Sequence, residues 1–153
     1  MIGSVISPPQ TYADWAAVLD LLKSRTDDDA VLDAMYRGQL EWQAGVSERF
    51  AKKLTEAVNS RMNSASDRFQ RDMLRANGQE RVIVQALLGL RKEMSFLAKA
   101  ISLPVIPEKD REQYRQLVID QANSMQKSLE DSARKDRTGR LASLVRNNKV
   151  NAI

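Results

Sequence analysis

The chain has 153 residues, 42% of them hydrophobic and 29% charged, with a formal net charge of +4 and neither cysteine nor histidine. Those two missing residue types exclude disulfides, thiolate or imidazole metal sites, and every Ser-His or Cys-His nucleophile system. Six Gly and four Pro are too few for an all-β domain, which needs a turn about every 8–12 residues, so the composition favours helices.

Aromatic residues make up only 5%, so a core must be built mainly from Leu, Val, Ile, Met and Ala. No run approaches the ~18 apolar residues of a bilayer span. The start, MIGSVISPPQ, lacks the charged and apolar regions of a signal peptide. The expectation is therefore a cytoplasmic protein, or part of an intracellularly assembled particle, without integral membrane association. Charge is unevenly spread. Residues 1–50 carry four basic and eight acidic side chains, residues 51–107 ten and five, and residues 108–153 ten and seven.

Residues 1–10 read as an extended lead-in, because Pro8 and Pro9 disfavour helix before them. Thr11 followed by Asp14 makes a capping box, and Trp15, Val18, Leu19 and Leu22 follow at helical spacing. The spacing predicts a short helix over about 11–24. In TDDDAVLDAMYRG, Thr26 is the expected cap and Asp27, Asp28 and Asp29 favour a helix N-terminus. Val31, Leu32, Met35 and Tyr36 form the expected buried stripe, and Gly38 the stop. A DNA-reading helix-turn-helix is unsuited to this pair, since three aspartates would meet phosphate oxygens. The run also lacks the spacing of a calcium loop.

Trp42, Val46, Phe50, Leu54, Val58, Met62, Ala65, Phe69 and Met73 recur every three or four residues, up to Asn77-Gly78. They predict one helix of about 37 residues, roughly 55 Å long, with Gly45 a weak point and a polar middle. Ile83, Leu87, Leu90, Met94, Leu97 and Ile101 then form a heptad seam, the expected centre of the core. Residues 104–107, PVIP, are a stiff connector. Glu108, Asp110 and Glu112 open a further helix whose expected buried face is Tyr114, Leu117, Val118, Met125 and Leu129, running to about Arg137. Thr138-Gly139 breaks it before a final short helix.

The expected fold is therefore all-α, an antiparallel helical bundle or hairpin of three main helices at about 40–76, 79–103 and 108–137. A short N-terminal helical pair precedes them and a short C-terminal helix follows. The expected organisation is a lead-in at 1–10, a single all-helical domain at 11–137 and a basic amphipathic C-terminal tail at 138–153. The longest helix outruns its neighbours, which points to assembly.

No motif carries chemistry. Phosphate-binding and dinucleotide-binding glycine loops are absent. Ser124–Lys127 and Ser132–Lys135 have Ser-x-x-Lys spacing, but on a Ser- and Lys-rich helix in a chain too short for the penicillin-binding architecture. Adjacent carboxylates such as Glu130 and Asp131 point to different sides of a helix. Trp15 and Trp42 stand in register with apolar stripes and read as core. No catalytic residue, cofactor or metal is expected, and the chain reads as a non-enzyme.

The candidate contact region is the basic tail. Arg134, Lys135, Arg137, Arg140, Arg146 and Lys149 interleave with Leu141, Leu144 and Val145 at helical spacing. That pattern fits a segment docking an apolar edge, with its cations at the rim. It predicts a structural or interaction subunit whose partners are protein subunits, of its own kind or another. The alternative is sequence-tolerant nucleic-acid binding by the same cations, aided by Arg68, Arg71 and Arg75. No aromatic residue lies beyond Tyr114, so such binding would be electrostatic. Peripheral membrane binding is weaker, because the apolar stripe spans about two turns and has no aromatic anchor.

Overall fold

The computed structural model describes residues 6–153, and among them it forms six helices and no strand. These are α1 (Tyr12–Ser24), α2 (Asp28–Arg37), α3 (Val46–Ala76), α4 (Glu80–Ala100), α5 (Glu108–Ala133) and α6 (Arg140–Asn147). The all-α class follows the sequence; residues 1–5 of the lead-in lie outside the described residues. No helix is long and apolar enough to cross a membrane, among the described residues. The contacts divide the chain into two compact units. One takes the chain up to Arg61 together with Lys99–Tyr114, and the other takes Met62–Ala98 with Arg115–Ile153.

In the first unit, α1 starts as its capping box dictates. Asp14 N–H donates to Thr11 Oγ1 at 3.2 Å, and Thr11 N–H donates back to Asp14 Oδ2 at 3.3 Å. The four apolar residues read from the spacing, Trp15, Val18, Leu19 and Leu22, are all buried. Asp27, rather than Thr26, caps α2, accepting from Ala30 N–H at 3.4 Å, while Thr26 Oγ1 sits 2.7 Å from Ser24 Oγ. Tyr36 is partly exposed instead of buried. Its hydroxyl donates to the Lys99 carbonyl at 2.8 Å and lies 3.3 Å from that of Ser102, which ties α2 to the end of α4.

Gly38 does stop α2, but in an extended conformation, φ −73°. Its glycine is required by space: a Cβ there would stand 2.6 Å from Trp15 Cζ2 and 2.9 Å from Pro9 Cγ. The backbone closes over the indole, with Gln39 N–H on the Pro9 carbonyl at 2.8 Å and Trp15 Nε1–H on the Gln39 carbonyl at 2.9 Å.

α3 begins at Val46, later than the expected 40, because Gly45 adopts φ +88° and breaks the helix before it. Trp42 therefore lies outside the helix, yet still packs edge-on against Phe50 at 5.5 Å, beside the Trp15–Phe50 contact at 5.1 Å. At 31 residues α3 is about 46 Å long and unbroken.

Its polar middle holds the feature that the sequence pattern concealed. Arg61 is 1% exposed, with Nη1 and Nη2 each 2.8 Å from one Asp28 carboxylate oxygen and Nη1 also 3.0 Å from the Leu22 carbonyl. This bidentate pair ties α3 to the C-terminal end of α1 and the first turn of α2. Of the three aspartates, Asp27 is therefore a cap and Asp28 a counter-ion.

Asp28→Ala leaves the guanidinium buried without its carboxylate, and should destabilise the chain by about 3 kcal/mol in denaturant titration. Asp33→Ala, which breaks only an exposed i,i+4 pair with Arg37, should change stability by less than about 0.5 kcal/mol.

Candidate functional site

In the second unit the chain reverses at Asn77 and Gly78, both left-handed, with φ 48° and 80°. Only residues 77–79 join the two helices, and Ala65, Phe69 and Asp72 of α3 line one crevice with Gln85, Gly89 and Glu93 of α4, so this half of α3 runs antiparallel to α4. The α4 seam lies where its heptad places it, with Ile83, Leu87, Leu90, Met94 and Leu97 all buried.

α5 is rolled away from the expected face. Its buried residues in this unit are Val118, Ala122, Gln126 and Ala133, while Leu117 is 53% exposed and Met125 and Leu129 are half-buried. A buried amide must satisfy its polar atoms, and Gln126 does so through the tail. Gln126 Nε2–H donates to the Val145 carbonyl at 3.3 Å and to Glu130 Oε1 at 3.1 Å, and Gln126 Oε1 accepts from Val150 N–H at 3.0 Å. Asn151 reaches Asn123 Oδ1 at 2.9 Å, and Arg91 Nε–H donates to the Lys149 carbonyl at 2.7 Å. Residues 140–151 thus run back along α5 in the opposite direction.

These contacts locate every candidate residue of the tail. Val145 is buried, joined by Val150, while Leu141 and Leu144 are half-buried around a 410 Å³ hollow with Met73 and Ile83. The apolar edge read from the sequence is thus seated within its own unit. Arg134, Lys135, Arg137, Arg140, Arg146 and Lys149 are exposed. Arg140 pairs with Glu80, and Arg134 lies 3.4 Å from Asp131.

Asp136 organises the turn into α6 by accepting from Leu141 N–H at 3.0 Å and from the Thr138 N–H and hydroxyl. The Leu141 N–H, then the Thr138 bonds, hold its carboxyl below the usual carboxylate range. Whatever stability this gives α6 is therefore present above the ordinary Asp range and is lost as pH falls through the lowered value.

Rolling Gln126 inward turns the opposite side of α5 outward and opens a groove that the sequence pattern did not reveal. It has a volume of about 680 Å³. Phe69, Met73 and Leu74 of α3 form one wall, Met125 and Leu129 of α5 the other, and Leu90 of α4 lies between them. Ser124, Ser128 and Ser132 stand at successive i+4 positions along the α5 lip, with Ser66 and Gln70 across from them. Leu74 is 83% exposed, so part of the apolar lining meets solvent directly. The only sequence signal for it was a surplus of apolar residues on α5 beyond what one face can bury.

The groove offers hydroxyls, an amide, thioethers and hydrocarbon. No group of three or more acidic side chains able to hold a metal ion occurs among the described residues. Comparison with family models, with curated proteins and with solved structures finds no match to this chain.

Gln126→Ala strands the Val150 N–H and the Val145 carbonyl. It should lower stability by about 1–3 kcal/mol and abolish slow amide hydrogen exchange at Val150, while the amides at the middle of α4 stay protected.

Proposed function

We propose that the chain is a non-catalytic interaction subunit that docks a helical protein segment in the groove between α3 and α5. The observation that carries this reading is the open apolar lining capped by the 83% exposed Leu74. A soluble chain that leaves such a surface uncovered loses burial energy, about 25 cal/mol for each Å². An apolar hollow of this size between helices, edged by a few polar groups, is the usual form of a binding groove.

The groove's form fits a helix. Its walls are two helices, its lip is a ladder of small serines that lets another backbone approach closely, and its methionines can repack around varied side chains. This reading puts the interaction surface on the groove rather than on the tail, since Val145 is buried and Leu141 and Leu144 adjoin Met73 and Ile83 within the unit.

A photo-crosslinking residue placed at Gln70, on the groove, should yield a discrete protein adduct in cells that express the chain. The same residue at Asn147, on the exposed side of α6, should not. Equal labelling from both positions, or none from Gln70, would remove the docking reading.

A second reading, nucleic-acid binding, is favoured by charge. The second unit carries fourteen Lys and Arg against eight Asp and Glu, while the first carries ten against twelve. With the apolar edge of the tail turned inward, Lys135, Arg137, Arg146 and Lys149 face solvent. Binding through them would be sequence-tolerant and would weaken steeply with salt. Fluorescence anisotropy with a labelled duplex should then show affinity at low salt that falls when Arg146 and Lys149 are both changed to Glu. Absence of binding at low salt rules this reading out.

A further inference from the structure

We propose that the helical partner covering the groove is a second copy of the chain, whose α3 and α5 meet those of the first lip to lip, antiparallel about a two-fold axis. This inference rests on the docking reading above and goes further by naming the partner. The lining spans residues 66–74 of α3 and 124–132 of α5, so its centre falls near Gln70 and Ser128.

The charges at its outer edge are of both signs, with Arg71, Arg75 and Lys127 against Asp67 and Asp131, rather than uniformly basic. At helical spacing, Asp67 and Arg71 lie just outside the α3 lining, and Lys127 and Asp131 just outside the α5 lining; all four are exposed. The order of signs along the chain is reversed between the two helices. A two-fold axis perpendicular to the helices sets α3 against α3 and α5 against α5, each pair antiparallel. Asp67 then faces Arg71 of the second copy, Lys127 faces Asp131 of the second copy, and each pairing occurs twice by symmetry. The exposed Arg134–Asp131 contact, at 3.4 Å, is weak enough to yield.

The alternative two-fold, with its axis along the helices, would pair Asp67 with Lys127 and Arg71 with Asp131. Antiparallel packing is preferred because adjacent helix dipoles then oppose one another. Leu129 of both copies meets beside the axis, Leu74 and Met73 of each copy cover the Ser66 end of the other's α3, and the serine ladders let the two α5 helices approach closely. A wholly acidic foreign helix is a poorer match, because Asp67 and Asp131 would repel it. The unit's excess of positive charge lies elsewhere, with six of its cations on residues 134–149.

Sedimentation velocity of the full chain from about 1 to 100 µM tests the proposal, since a modest interface of this kind should have a Kd within that range. The expected result is a monomer–dimer equilibrium that Leu74→Glu abolishes. Circular dichroism should be unchanged, because Leu74 is 83% exposed and supports no core. Lys127→Asp should raise Kd roughly tenfold, since the lost pair occurs twice. Adding Asp131→Lys to it should restore the affinity, because the swapped pair still matches across an antiparallel two-fold.

A chain that stays monomeric throughout overturns the proposal. So does a dimer indifferent to Leu74→Glu, or one that the double swap fails to rescue. Should the chain be monomeric while the Gln70 crosslink captures a different protein, the second copy is excluded and the docking reading stands. Should both experiments fail, both readings fall.

Discussion

The second unit depends on how one buried amide is satisfied. Gln126 faces inward, where an unpaired amide would be costly, and its partners are the Val145 carbonyl and the Val150 N–H of the returning tail. With that position fixed, the 100° step of a helix decides the rest of α5. Ala122 and Ala133 turn inward with Gln126, and Ser124, Ser128 and Ser132 turn outward with the flanks of Met125 and Leu129. The tail and the groove are two consequences of the same roll: the tail covers the polar side of the seam, and the apolar remainder is left facing solvent.

Arg61 plays a corresponding part in the first unit. Its charge is tolerated because Asp28 meets it with both oxygens and the Leu22 carbonyl accepts a further bond. A hydrophobic residue at 61 would bury as well but would not specify register. The arginine accepts only the arrangement in which the end of α1 and the start of α2 converge on it. A buried pair of this kind adds little net stability over well-packed apolar residues, whereas loss of one partner is costly.

Most local features were legible in the amino-acid sequence, apart from the α2 cap at Asp27 and the start of α3 at Val46, and long-range ones were not. The capping box at Thr11–Asp14, the heptad seam of α4 and the Asn77-Gly78 reversal each depend on residues within a few positions of one another, and each formed where the pattern placed it. Gly38 was found as a stop for the wrong local reason, because the ring that demands a glycine there belongs to Trp15, far back in the chain. The Arg61–Asp28 pair spans 33 positions, and a lone arginine in a polar stretch carries no mark of its partner. The expected and observed faces of α5 differ because Leu117, Met125 and Leu129 outrank Ala122, Gln126 and Ala133 in hydrophobicity. Yet the inward side must fit closely against the returning tail, which favours small residues and one satisfied amide. The groove is made of the apolar side chains that this unit's own core does not use.

The cysteine-free sequence makes the central claim directly measurable, because a single Leu74→Cys is then the only thiol in the chain. Its rate of alkylation by a small maleimide would be compared between dilute purified protein and the intact cell, with Asn147→Cys as the reference site. The account predicts that Leu74→Cys reacts freely when dilute and more slowly in the cell, relative to the reference, by a factor that grows with the ratio of the partner's working concentration to its dissociation constant. Equal relative rates in the two settings would mean that nothing occupies the groove, and would contradict the account.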